Sequence, residues 1–192
     1  MDKRLLGNSV ELFVPPSHSQ CSLENFDWKG YQKIKELVNS VLEGRENRGF
    51  VLFGDPGIGK THLLVGLFRK FVEQGKIIGS EVMFYVWSDL VNEIVMVMQE
   101  KVIPEVVMDR LVLPEILIID DIRPSWGRVW NDLLKRFIEK SYDRKGRIFL
   151  STNAESVDDL VQRWQLEDYW LSRLKDLVIF VKMKGKDRRG NV

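Results

Sequence analysis

Apolar residues along this chain fall into short runs separated by longer stretches in which polar and apolar positions alternate at helical spacing. Gly49–Phe53, Glu81–Trp87, Ile116–Asp120, Arg147–Thr152 and Leu177–Lys182 are each short and apolar, which predicts five β-strands. From Tyr31 onward, Ile34, Leu37, Val38, Val41 and Leu42 share one helical face, and Gly44 is the expected stop. Leu63, Leu64, Leu67, Phe68 and Phe71 do the same within 62–74. Val129, Trp130, Leu133, Leu134, Phe137 and Ile138 form a stripe over about 128–142, with Gly146 turning the chain into the fourth strand. Ser88 is a candidate cap for a helix from Asp89 to about Lys101, Pro104 interrupts it, and a second short helix is expected around Val106–Leu111. Strands alternating with helices predict an α/β fold: a five-stranded parallel sheet with helices on both faces. Residues 1–20, with Gly7, Asn8, Pro15 and Pro16, read as an irregular arm, and 21–192 as one domain.

Composition narrows the function classes. With 192 residues, 44% of them hydrophobic, the chain can bury one substantial core. Its 29 basic and 28 acidic residues nearly cancel, so any contact with nucleic acid must come from a local patch and not from a global field. The single cysteine, Cys21, excludes an internal disulfide and a cysteine-cluster metal site, which suits a reducing cytoplasm. No stretch approaches membrane-spanning length, and Leu5-Leu6 is too short for a signal-peptide core, so a cytoplasmic protein is expected.

Candidate chemistry begins directly after the first strand. Residues 54–61 read Gly-Asp-Pro-Gly-Ile-Gly-Lys-Thr, a complete phosphate-binding loop between an apolar strand and an amphipathic helix. Its glycines let consecutive backbone N–H groups face anionic oxygens, and the helix beginning near Lys60 adds its positive end. Gly54, Asp55, Pro56, Gly57, Ile58, Gly59, Lys60, Thr61 and His62 are therefore the expected nucleotide-binding set, with Lys60 on the β/γ-phosphates of ATP and the Thr61 hydroxyl on Mg2+. The third strand ends in Asp120-Asp121. Asp120 is the expected second magnesium ligand, and Asp121 the group that polarises the attacking water. Parallel sheets gather such residues at their carboxyl ends, beside the phosphate loop. The fourth strand ends Ser151-Thr152-Asn153, where Asn153 is either a water-orienting amide or a turn-forming asparagine.

Taken together, Asn25-Phe26-Asp27-Trp28, Gly54–Leu63, Leu117–Ile122, Ser151-Thr152-Asn153, Ser172-Arg173-Leu174 and Gly185–Arg189 resemble the AAA+ ATPases of the DnaC/IstB type over about residues 22–190. The resemblance implies a P-loop NTPase of AAA+ type that acts on DNA as an ATP-driven oligomer. Asn153 then matches sensor 1, Arg173 the arginine finger that reaches a neighbouring subunit's nucleotide, and Arg189 the sensor-2 arginine. One branch of the family loads the replicative helicase onto single-stranded DNA, and the other assists transposases. Three departures stand out. About ten residues follow Lys182, so the C-terminal lid is expected to be largely missing, as in the loader branch. About 20 residues precede Cys21, where loaders carry a helicase-binding domain. Arg123-Pro124 replace the glycine that usually follows the Asp-Asp-aliphatic run, with Trp126 still at its expected place.

The segment 88–113 occupies the position of the DNA-facing helices of such ATPases, although Lys101 and Arg110 are its only basic residues. Lys182, Lys184, Lys186, Arg188 and Arg189 form a basic tail that suits either phosphate contacts or plain solvation, and the six tryptophans are read mainly as packing residues. The leading reading is an ATP-hydrolysing AAA+ protein of DNA replication, a helicase-loader-like homo-oligomer assembling through Arg173, engaging single-stranded DNA and a replicative helicase. The alternatives are an IstB-like ATPase assisting a transposase, a P-loop kinase, and a non-hydrolysing ATP-dependent adaptor.

Overall fold

Strands that are apolar at every position need helices on both sides, and the tertiary structure supplies them. The computed structural model describes residues 10–99, 114–123 and 128–188. Five parallel strands, β1 (Gly49–Phe53), β2 (Val82–Val86), β3 (Ile116–Asp120), β4 (Arg147–Thr152) and β5 (Val178–Lys182), form one sheet in the order β2-β3-β4-β1-β5. The period-2 alternation of each strand divides its side chains between two cores. Phe50, Leu52, Ile116, Ile118 and Phe149 face one side, and Val51, Phe53, Leu117, Ile119, Ile148 and Leu150 face the other. Register keeps this division consistent, since Phe50 lies opposite Phe149 and Ile118 opposite both Phe84 and Phe149.

The first core is closed by helices α1 (Gln32–Leu42) and α2 (Lys60–Glu73), which contribute Ile34, Val38, Leu63, Leu67 and Phe71. The second is closed by α3 (Trp87–Gln99), α4 (Arg128–Asp143), α5 (Val157–Trp164) and α6 (Asp168–Leu177), through Leu90, Leu134, Phe137, Leu160, Trp164 and Leu174. The expected α/β architecture, a five-stranded parallel sheet with helices on both faces, is thus the observed one. Residues 10–20 include a 3-10 turn at Pro16–His18, and Val10 and Val14 are buried in the first core.

Element boundaries differ where packing outweighs local signals. Trp87 begins α3 instead of ending β2, because its indole is buried in the second core, and Ser88 therefore lies inside the helix with its hydroxyl on Asp89. Leu177 closes α6 and is not the first residue of β5. Helices α5 and α6 span only eight and ten residues; Val157, Leu160, Val161 and Trp164 give α5 an apolar face at helical spacing, but one too short to stand out in the sequence. α5 is nonetheless capped, with the Asp159 N–H donating to the Ser156 hydroxyl at 3.0 Å. The short helix expected around Val106–Leu111, with Lys101, Arg110 and Trp126, lies outside the described residues.

Strand order positions the site. β4 lies between β1 and β3, so the carboxyl ends of these three strands are neighbours. The loops that leave them begin at Gly54, Asp121 and Asn153.

Candidate nucleotide-binding site

Between β1 and α2 the chain turns through residues that tolerate a left-handed backbone. Gly57 and Gly59 have φ of 78° and 102°, a region that costs most side chains strain, and Gly59 leads directly into α2. The N–H groups in the first turn of a helix suit an anion, and α2 begins where the loop ends. Lys60 is 7% exposed, and its ammonium donates to the Gly54 and Asp55 carbonyls at 2.7 Å each, which holds the cation at the loop mouth. Ile58 is fully buried and anchors the loop from below, its carbonyl accepting from the Tyr31 hydroxyl at 3.2 Å.

The acidic pair is organised by one hydroxyl. Ser151 Oγ donates to Asp120 Oδ1 and accepts the Asp121 N–H at 2.8 Å. Asp120 is 3% exposed, and burial pushes its carboxyl above the ordinary aspartate range, opposed by hydrogen bonds from Ser151 and Thr61. Asp121 takes a left-handed backbone, φ 55°. Asn153 Nδ2 donates to Asp121 Oδ1 at 3.1 Å, while Arg123 places Nε and Nη2 at 2.8 and 2.6 Å from Oδ2.

The loop, Asp121 and the Asn153 amide border one open cleft of about 930 Å³. Pro56, Gly57, Gly59, Lys60, Thr61 and His62 line one side, and Asp121, Ile122, Ser151, Thr152 and Asn153 another. The N-terminal segment closes a third side through Ser17, His18 and Cys21. His62 lines the cleft, but its ring works on that segment. Nε2 lies 3.0 Å from the Ser22 carbonyl and 2.8 Å from Asn25 Oδ1, the ring meets Phe26 edge-on, and burial lowers its pKa.

Besides Arg123, two arginines join the cleft that the sequence did not single out as site residues. Arg188 donates its backbone N–H to the Gly57 carbonyl at 2.9 Å, stacks over Phe26 and Tyr31, and hydrogen-bonds the Asp27 carbonyl. The residues after β5 therefore fold back across the phosphate loop and tie it to the Asn25–Trp28 segment. The signal was the terminal Gly-x-Asp-x-Arg motif, in which Arg188 stands beside Arg189; Arg189 itself lies outside the described residues. Arg163 reaches the cleft from α5, with Nε on Asp159 at 2.6 Å, and no sequence pattern marks it.

Arg173 is not brought to this cleft. On α6 its guanidinium lies between the rings of Tyr142 and Tyr169, 4.9 and 4.4 Å from their centroids, with Glu139 and Asp143 at 3.5 and 3.8 Å.

The sequence profile of the IstB-like ATP binding protein family matches residues 3–191, nearly the whole chain. The chain belongs to this family. Among curated relatives, it is 23% identical over 173 residues to the replicative helicase loader DnaI of Bacillus subtilis, a match spanning 83% of this chain and 53% of DnaI. It is 29% identical over 142 residues to an insertion sequence IS21 ATP-binding protein of Pseudomonas aeruginosa, spanning 71% of this chain and 51% of that one. This IstB-like chain thus spans about half the length of both relatives. Its fold superposes on the DnaC helicase loader with a TM-score of 0.72 at 18% identity, covering 88% of this chain and 100% of that one. It superposes on AMPPCP-bound DnaA from Aquifex aeolicus with a TM-score of 0.69 at 21% identity, covering 90% and 51%.

For an IstB-like ATP-binding protein the residues present fit a hydrated divalent cation beside the phosphates. The Thr61 hydroxyl and the Asp120 carboxylate are hydrogen-bond partners, and the burial that disfavours the Asp120 charge is what a cation would offset. A stability prediction follows. Asp120→Asn keeps an acceptor for Ser151 and removes a buried charge, so the unliganded variant should melt higher, by roughly 2–4 °C for each ~1 kcal/mol gained. The folded-state pKa of Asp120 lies above its unfolded value of 3.8, so wild-type stability falls as pH rises through that window. The gap between variant and wild type should therefore open above about pH 4 and vanish below it. Thermal melts at pH 3 and pH 7 check this, and a variant that melts lower at pH 7 would show that burial does not burden Asp120.

Proposed function

We propose that this protein is a magnesium-dependent ATPase that works as a homo-oligomer in DNA replication, in the manner of a helicase loader. The reading rests above all on one observation: Lys60 and Thr61, Asp121, and Ser151 with Asn153, from three separate strand ends, meet in a single cleft. Each has a role that its position suits. Lys60 and the loop N–H groups bind and orient the triphosphate. Thr61 and Asp120 would hold a magnesium ion, which would neutralise charge on the phosphate oxygens. Asp121 accepts hydrogen bonding from the attacking water, and Asn153 fixes that carboxylate.

Arg173 supports assembly because it is remote from the cleft of its own chain. An arginine that serves ATP from there must serve a neighbour's, after leaving Tyr142 and Tyr169. Arg173→Ala should leave ATP binding by the monomer within about twofold of wild type, while turnover at high protein concentration falls by about a thousandfold or more, the scale of arginine fingers in other nucleotide hydrolases. Turnover of this variant that still rises steeply with concentration would remove Arg173 from the role.

The single-stranded DNA and replicative helicase of this reading are carried by likeness to loaders, of which the chain spans about half the curated length. The 29% identity to an IS21 ATP-binding protein favours a second reading, a transposase helper that binds duplex DNA. Measuring ATP hydrolysis against protein concentration, with single-stranded or duplex oligonucleotides, tests both. Turnover rising faster than linearly and stimulated by single strands supports the loader reading. Stimulation by duplex alone supports the transposition reading. Linear turnover indifferent to DNA counts against both.

A further inference from the structure

Asp121, assigned above to the attacking water, is gripped within its own chain. Arg123 directs Nε and Nη2 at one carboxylate oxygen, and Asn153 donates to the other. A carboxylate offers about four lone-pair sites, and these donors occupy three. Two come from a guanidinium, whose charge makes them the stronger class of hydrogen bond. A carboxylate paired in this way has little electron density left with which to polarise water. The backbone cannot relieve the arrangement, because Asp121 is set at φ 55° with its N–H held by Ser151. Only the Arg123 side chain is free to exchange: it is 69% exposed, against 29% for Asp121, and it lines the nucleotide cleft.

We propose that Arg123 is a brake on hydrolysis, a positioning residue that occupies Asp121 until its guanidinium is drawn to another anion. The brake rests on the ATPase reading and adds a control to the same site. The glycine expected here from the family resemblance cannot supply it. Because the Arg123 side chain is mostly exposed, water competes for its guanidinium and the pair opens often enough that the brake slows turnover without abolishing it.

Steady-state phosphate release by the full-length chain tests this in wild type, Arg123→Gln, Arg123→Lys and Asp121→Asn. Arg123→Gln should raise kcat by about threefold to fivefold, the size set by releasing an exposed ion pair, with KM for ATP changed by less than about twofold. Arg123→Lys, which keeps the charge and loses the fork, should fall between the two. In NMR spectra the Arg123 Nε–H should exchange more slowly in wild type than in Asp121→Asn, a readout independent of turnover. A kcat for Arg123→Gln at or below wild type would overturn the brake. Equal phosphate release by wild type and Asp121→Asn would instead overturn the catalytic assignment of Asp121, so the two failures are separable.

Discussion

Asp121→Asn protein is expected to bind ATP as tightly as wild type while releasing phosphate at least about a hundredfold more slowly, the scale of losing a positioned general base. The substitution changes charge and leaves shape alone. The backbone at 121 is held by the Ser151 hydroxyl in a left-handed conformation that asparagine adopts more readily than most residues. The side chain keeps an oxygen to accept from Asn153. Binding contacts from Lys60 and the loop are untouched, so affinity and turnover should separate. A fluorescent ATP analogue reports the first and a phosphate-release assay the second. Turnover within twofold of wild type would remove Asp121 from the chemistry.

Lys60→Ala should produce the opposite pattern, with affinity itself collapsing. The Lys60 ammonium is nearly buried and held at the mouth of the phosphate loop by two carbonyls, so its charge is already oriented where phosphate oxygens must lie. Removing one partner of a buried, hydrogen-bonded charge pair costs about 2–5 kcal/mol, which is roughly a thirtyfold to several-thousandfold loss in affinity. Thermal shift supplies a second measure, since ATP stabilises the folded protein only to the extent that it binds. ATP should therefore raise the melting temperature of wild type and leave that of Lys60→Ala unchanged. Tight binding by the variant would show that the loop is a structural turn and not a phosphate site.

These two predictions rest on residues legible in the sequence, whereas the brake at Arg123 does not. Arg123 was visible only as an unusual residue after the acidic pair; its fork onto Asp121 depends on the left-handed backbone at 121, which no pattern of residue types announces. Arg188 is similar. The basic tail read equally well as a solvated terminus, and the choice is made by Phe26, Tyr31 and Asp27, residues about 160 positions away that receive its guanidinium. Arg163 carried no signal, because a lone arginine on a short helix acquires meaning only from the cleft it faces. Helices α5 and α6 are hard to read for a different reason: at eight and ten residues they fall short of the window of about 11 over which helical spacing is distinct, although Val157, Leu160, Val161 and Trp164 do share one face of α5.

What the residues determined by themselves was local. Continuous apolar runs required strands covered on both faces, the amphipathic stretches at 32–42, 60–73 and 128–143 required helices, and the glycines and lysine of 54–60 required a turn able to meet phosphate. Such features depend on spacing within one segment, so they are written into the order of the chain. Tertiary structure decided the rest. It set β4 between β1 and β3, so that one serine hydroxyl serves both aspartates, and it folded the tail over the phosphate loop. It also held Arg173 between two tyrosines, away from the cleft. Those arrangements join residues tens of positions apart or more, and their energies come from burial and hydrogen bonding that exist only once the sheet and its two cores have formed.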